Sequence, residues 1–221
     1  MNLAVIQLLV LAGVAIFLIL RLRSVLGTRE GFEKPQAPQP GPSRSREKSR
    51  HEFEVIEGGV DRDITDHVSE GPAADALATM KTVEPGFSVG EFLHGARGAY
   101  EMILMAFERG ELDGVKPFLG QDVAESFEDV VKMRAENGVT VEASFIGVRE
   151  TALKEASFDE ENAEAEITVK FIGEITSVVR DAAGDIVEGD PNAVKRQRDV
   201  WTFARRMGTG DPNWKLVATG E

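Results

Sequence analysis

With 221 residues the chain has room for one ordinary domain and a short accessory segment. It has no cysteine, which excludes disulfide support and thiol chemistry, and His51, His67 and His94 lack metal-ligand spacing. The formal net charge is −13, and residues 86–221 hold 15 basic and 26 acidic residues; such a chain is a poor general binder of nucleic acid or anionic lipid, and any such contact has to be local.

The chain opens on an apolar run from Asn2 to Leu20, interrupted only by Asn2 and Gln7 and closed by Arg21 and Arg23. A helix of about 20 such residues rises about 30 Å, the thickness of a bilayer's hydrocarbon core. Residues 1–26 are therefore expected to be a transmembrane anchor running between Leu3 and Leu20. A cleaved signal peptide would place its basic residues before the apolar run, whereas here they follow it. Arg21 and Arg23 stay on the cytoplasmic side, which puts the N-terminus out and the rest of the chain in the cytosol.

Residues 27–85 read as a disordered linker. Pro35, Pro38, Pro40 and Pro42 lead into a polar run from Ser43 to Arg50, and such composition buries too little apolar surface to offset ordering entropy. As a flexible coil the segment would span on the order of 40 Å. Two islands interrupt it: the apolar quartet Phe53, Glu54, Val55 and Ile56, and residues 73–81, which fit a short helix presenting Ala73, Leu77 and Met80.

A folded domain is expected over residues 86–221. Ser88 and Glu91 form a capping box, and Phe92, Ala96, Ala99, Ile103 and Phe107 follow at helical spacing until Gly110 stops the helix. A short helix is predicted over 112–119. Another is predicted from Asp122, as N-cap, to Glu136. The period then changes to two, predicting strands over 139–158, 165–180, 193–206 and 214–219 with turns at 159–162, 181–185 and 208–212. Helices followed by a strand meander indicate an α+β domain, with the helices on one face of a curved four-stranded antiparallel sheet. Curvature around Gly147 and Gly173 could enclose a conical pocket.

Residues 87–102, FSVGEFLHGARGAYEM, resemble the first helix of the Tim44-like domain, and residues 198–206 with 211–216 resemble its last hairpin. With its N-terminal anchor and Pro-rich linker, the whole chain is similar to the bacterial inner-membrane members of this family. The resemblance implies a cone-like domain related to NTF2-like and cystatin-like folds. It implies a non-catalytic adaptor in protein translocation or membrane-protein assembly. The expected setting is the bacterial inner membrane, with one span and the domain in the cytoplasm. The expected partner is a translocase, chaperone or transporter component. The mitochondrial relative tethers an Hsp70 chaperone to a channel through a long charged helical region; here an anchor and linker stand in that place.

In such a cone the aromatic residues Phe92, Tyr100, Phe107, Phe145, Phe171, Trp201, Phe203 and Trp214 are the expected pocket lining. Lys195, Arg196, Arg198, Arg205 and Arg206 are the expected contact for a partner or an anionic lipid. Catalysis, a cofactor and a metal are not expected: no phosphate loop or nucleophile motif is present. Tyr100, the sole tyrosine, lies six residues from His94, about 240° apart after a full helical turn, and is expected in the core with its hydroxyl satisfied. Glu142, Glu166 and Asp199 alternate with apolar residues and are expected to face water. Two other functions remain open, a ribosome tether at the membrane and an NTF2-like pocket for a small apolar ligand; a buried acid beside Tyr100 would favour the latter.

Overall fold

The computed structural model of the protein describes residues 61–220. The proposed anchor with Leu3, Leu20, Arg21 and Arg23, and the island at 53–56, lie outside them. No helix among the described residues is long and apolar enough to cross a membrane.

Four α-helices precede five strands: α1 (Arg62–Thr65), α2 (Pro72–Val83), α3 (Val89–Arg109), α4 (Gln121–Glu136), β1 (Thr140–Asp159), β2 (Glu164–Arg180), β3 (Ile186–Gly189), β4 (Lys195–Arg206) and β5 (Lys215–Gly220). The strands pair antiparallel in the order β1-β2-β4-β5, with β3 on the far end of β2. The expected α+β architecture is present. The sheet has five strands rather than four and stays open, with no closed cone. The extra strand β3 is a short hairpin arm. The turn at 181–185, with Gly184 in the left-handed region, returns the chain onto Val178–Arg180.

The curvature comes from β1. Its register against β2 shifts at three places, between Phe145 and Gly147, Val148 and Glu150, and Leu153 and Glu155. Each extra residue bends the strand and raises its twist. The inner face of β2 buries Ala165, Ile167, Val169, Phe171 and Ile175 at alternate positions. Helix α3 lays Phe92, Ala96, Tyr100 and Ile103 on that core. The Tyr100 ring stacks on Phe171 with centroids 4.5 Å apart and an interplanar angle of 13°. Gly173 is what admits it: a Cβ there would lie 2.6 Å from the Tyr100 hydroxyl.

The segment read as a linker ends earlier than residue 85. Helices α1 and α2 bury Ile64, Leu77 and Met80, and α2 packs on β1. The short helix expected over 73–81 is present as α2, with Leu77 and Met80 buried as its apolar face, and its Pro72 sits at the position where a missing N–H costs nothing. The cap of α3 depends on this segment. Ser88 Oγ accepts from the Glu91 N–H at 3.3 Å, as expected. The remaining free N–H groups of the first turn go to Asp63, which accepts from Val89 at 2.7 Å, from Gly90 at 2.9 Å and from the Ser88 hydroxyl at 3.0 Å. Lys81 pairs with the same carboxylate at 2.7 Å.

Two helical expectations change. The helix predicted over 112–119 is only a 3₁₀ turn, Lys116–Phe118, because Gly114, Pro117 and Gly120 leave too short a run to nucleate. It still buries Leu112, Val115 and Leu119. Helix α4 is capped by Gly120 rather than Asp122. The Gly120 N–H donates to the Leu216 carbonyl at 2.7 Å, and a Cβ at Gly120 would lie 3.2 Å from that oxygen, so the close approach to β5 decides the residue. Asp122 instead places its charge in the first turn, favourable against the helix dipole.

Two expectations follow for stability. Asp63→Ala should cost about 1–3 kcal/mol in urea denaturation, since three donors and Lys81 lose their acceptor. Burial alone would raise the Asp63 carboxyl, but the hydrogen bonds from Lys81, Gly90, Val89 and Ser88 outweigh it and hold it well below the ordinary 3.8. Its contribution is therefore complete above about pH 3.8 and is lost as the pH falls below that toward the folded value; the Asp63→Ala variant should lack this part of the acid transition. Gly173→Ala should cost about 1–3 kcal/mol by overpacking. Its cost should shrink by about 1 kcal/mol in a Tyr100→Phe background, where the nearest clashing atom is gone, as a double-mutant cycle would read.

Candidate functional site

The N-terminal half of α3 and the turn between β4 and β5 border an apolar groove of about 490 Å³. Phe87 stands just before the Ser88 cap and meets Phe92 four residues into the helix, with centroids 6.5 Å apart. This is the hydrophobic staple that fixes how a chain enters a helix. Trp214, at the start of the last hairpin arm, lies 4.7 Å from Phe92 and 6.0 Å from Phe87. Phe203 meets Phe92 edge-on at 6.0 Å. Gly95, Gly98 and Met102 complete the α3 side.

One charged side chain is built into the wall. Arg205 is held by Glu84 at 2.8 Å and by the Asp211 carbonyl at 3.1 Å, and its guanidinium lies 5.1 Å from the Trp214 ring centre. The side chain is 7% exposed, and its Nε–H has no acceptor among the described residues. Burial pushes Glu84 up, but the Gly208 N–H and Arg205 hold its carboxyl below the usual carboxylate range. The pair is thus fully charged at neutral pH.

The structure divides the expected pocket residues. Phe92, Phe203 and Trp214 line the groove. Tyr100, Phe171 and Trp201 are sealed beneath it in the core. Phe145 packs edge-on against Tyr100 at 6.2 Å and borders a separate hollow with Met105 and Val115. Phe107 pairs with Phe127 of α4 at 4.4 Å, under the Arg134 guanidinium. Among the groove's other lining residues, Phe87, Phe118, Gly95, Gly98 and Met102 were not candidates. Phe87 was legible as the staple partner of Phe92; the others depend on how the 3₁₀ turn and the last hairpin meet α3.

The five basic candidates do not form one surface. Strand alternation turns Arg205 inward, so it is a buried groove residue and not a surface contact. Arg196 shares Glu174 with Arg149, and the Arg206 Nε–H donates to the Asn162 carbonyl at 3.1 Å. Lys195 and Arg198 are exposed.

Glu142 and Glu166 are exposed, as expected. Asp199 is not. It shares the inward parity of Trp201, is 8% exposed, and accepts from the Tyr100 hydroxyl at 2.5 Å and from Gln197 at 3.0 Å. Burial first, then the Asp199 hydrogen bond and charge, push the Tyr100 phenol far above its ordinary range, so it stays a donor. Nearby Glu108 is raised by burial, partly offset by Arg134 and Lys195. Tyr100 has no exposed surface, and neither Tyr100 nor Asp199 lines the groove. The arrangement therefore clamps α3 to the sheet, while the groove offers apolar surface with a neutralised cation at its edge.

Residues 73–221 match the family model described as the Tim44-like domain. The human protein named mitochondrial import inner membrane translocase subunit TIM44 is 24% identical over 152 residues, covering 67% of this chain and 33% of the human one. Its mouse counterpart is 22% identical over the same length. The chain thus spans about a third of the length of these relatives. Among solved structures, the intermembrane space region of the chloroplast protein ARC6 aligns with 59% of this chain and 92% of its own, at 11% identity and a TM-score of 0.39. On the match over 73–221, the chain belongs to the Tim44-like domain family.

Proposed function

We propose that the protein is a membrane-anchored, non-catalytic adaptor in protein translocation or membrane-protein assembly at the bacterial inner membrane. The observation that carries this reading is the groove, an apolar surface built from Phe87, Phe92 and Trp214 beside the paired Arg205 and Glu84, which suits a polypeptide surface. Ser88, the only hydroxyl residue lining it, donates its proton to Asp63. Family membership supplies the context, since the relatives are named as translocase subunits. The apolar run at 2–20, closed by Arg21 and Arg23, supplies the anchor, with one span, the N-terminus out and the domain in the cytoplasm. Helices α1 and α2 belong to the folded domain, so the proposed tether is shorter than residues 27–85. A partner in this reading is a translocase, chaperone or transporter component. An anionic headgroup could meet Lys195 and Arg198 only locally, because the domain as a whole is acidic.

The reading as a pocket for a small apolar ligand gains one observation, the buried Asp199 beside Tyr100. Their seclusion from the groove sets it second.

The test has two arms. Deleting residues 1–26 should move the protein from the carbonate-resistant membrane fraction to the supernatant. A photo-crosslinking residue at Met102 should capture a component of a protein translocation or insertion complex, and one at Lys132 on α4 should not. A truncated chain still fractionating with membranes, or capture of lipid alone, would count against the adaptor.

A further inference from the structure

The helices cover one face of the sheet and, among the described residues, leave the other uncovered. The core takes the inward residues of the strands, among them Ile167, Val169, Phe171, Trp201 and Phe203. The alternate residues point the other way. Register fixes which of them share the outer face. Thr168 lies opposite Thr202, Lys170 opposite Val200, and Ile172 opposite Arg198, and Ala152 and Glu150 of β1 extend the last two rows. The side chains agree: the Thr168 and Thr202 hydroxyls meet at 2.9 Å, and Lys170 pairs with Glu150 at 2.8 Å. Ala152, Ile172 and Val200 are half-buried yet have no part in the core.

This face is divided by charge along a line between β2 and β4. β4 presents Arg196, Arg198 and Arg206. β1 and β2 present Glu150, Glu155, Glu164, Glu166 and Glu174 against two cations, Arg149 and Lys170. Arg149 and Arg196 both meet Glu174. Arg198 and Arg206 on one side of the line, and Glu155, Glu164 and Glu166 on the other, form no ion pair among the described residues. A lipid surface or a nucleic acid carries one sign and would match only the basic band. A face with both signs in separate bands is complementary to itself.

We infer that the protein forms a twofold dimer in which the outer sheet faces of two copies pack together, the basic strand of each on the acidic strands of the other. The axis runs along the strands between β2 and β4. It brings β4 of one copy over β2 of the second and keeps the rows in register. Arg206 then faces Glu164 of the second copy, and Arg198 faces Ile172 and Glu150 of the second copy. The strands of the two sheets stay nearly aligned, an ordinary geometry for face-to-face packing. β2 and β4 pair from Glu164 to Ile175, about 40 Å, and three full strands with the short β5 make a face of roughly 650 Å². Stable interfaces bury about 600–1,000 Å² per partner. The dimer is independent of the adaptor reading, and it leaves the groove on the helical side open.

The sequence has no cysteine, so a single introduced cysteine reports one site. The full chain is reconstituted in phosphatidylcholine vesicles. Thr202→Cys, on the outer face beside the axis, should crosslink to a dimer with a bismaleimide spanning about 10 Å, the spacing of packed sheets. Met133→Cys on α4, 54% exposed, should not. In the Thr202→Cys background, Arg198→Glu and Glu150→Arg should each weaken the dimer about tenfold, with circular dichroism unchanged. Reconstituting these two variants together should restore the crosslink, because each then meets the opposite charge on the other chain. That rescue acts only between chains, so a purely structural effect of either substitution would not give it. No crosslink at Thr202→Cys, equal crosslinking at Met133→Cys, which makes the association one of anchors, or no rescue in the mixture overturns the dimer. So does an Arg198→Glu variant that keeps its crosslink and loses only sedimentation with phosphatidylglycerol vesicles, which makes β4 a lipid contact. The Met102 crosslink to a translocation component reads the adaptor proposal separately.

Discussion

Helix α3 is held on the sheet by one aromatic stack. Tyr100 lies flat on Phe171 and against Trp201, its hydroxyl passes over the bare backbone of Gly173, and Asp199 accepts its proton. Each part requires the others. Without a ring at 100 the bare backbone at 173 would leave a void; without Gly173 the ring could not seat; without Tyr100 and Gln197 the buried carboxylate would lack its donors, at a cost on the order of 1–3 kcal/mol. The offset aromatic contacts add about 0.5–1.5 kcal/mol beyond burial. The polar part is small, but it sets the helix at a single position, because the Tyr100 hydroxyl reaches Asp199 only where the ring also meets Phe171.

That position creates the groove at the other end of the helix. One turn to two turns before Tyr100, α3 carries Ala96, Gly95 and Phe92, and Phe92 packs against Trp214 and Phe203 of the last hairpin. Small residues where a large one stood at 100 leave space between helix and hairpin. Arg205 and Glu84 close the edge of that space and tie the turn after β4 to the end of α2 through Gly208. An ion pair this buried adds little net stability over an apolar pair, so its value lies in fixing where the hairpin turn sits.

The strands and α3 were legible because their periods were clean. The alternation of Ala165, Ile167, Val169 and Phe171 fixes β2 within a residue or two, and Ser88, Glu91 and Gly110 mark both ends of α3. What stayed hidden depended on pairing between distant segments. Asp199 looked solvent-facing as an acid among apolar residues, although its parity with Trp201 and Phe203 placed it inside; its partner lies 99 residues earlier. Arg205 read as surface charge for the same reason, since Glu84 is 121 residues away. The helical spacing of Ala73, Leu77 and Met80 was legible, but composition averaged over 27–85 concealed α1 and the packing of α2 on the domain, since those few apolar residues find a surface only once β1 exists. The groove was half legible: Phe92, Phe203 and Trp214 were candidates, but their meeting depends on the turn at 208–212, which no local pattern positions.

The groove and the N-terminal entry of the fold share a residue. Ser88 lines the groove, caps α3 through the Glu91 N–H, and donates to Asp63 of α1. Phe87 and Phe92, the staple on which the groove is built, flank that cap. Asp63 holds the first turn of α3 by three hydrogen bonds, each worth about 1 kcal/mol or a little more, against a folded state whose whole stability is about 5–15 kcal/mol. Whatever displaces Asp63 frees the N–H groups of Val89 and Gly90 and loosens the aromatic floor beside them. The first helix, α1, and the groove therefore meet at a single hydrogen-bonded serine, and that junction is local enough to need no rearrangement of the sheet.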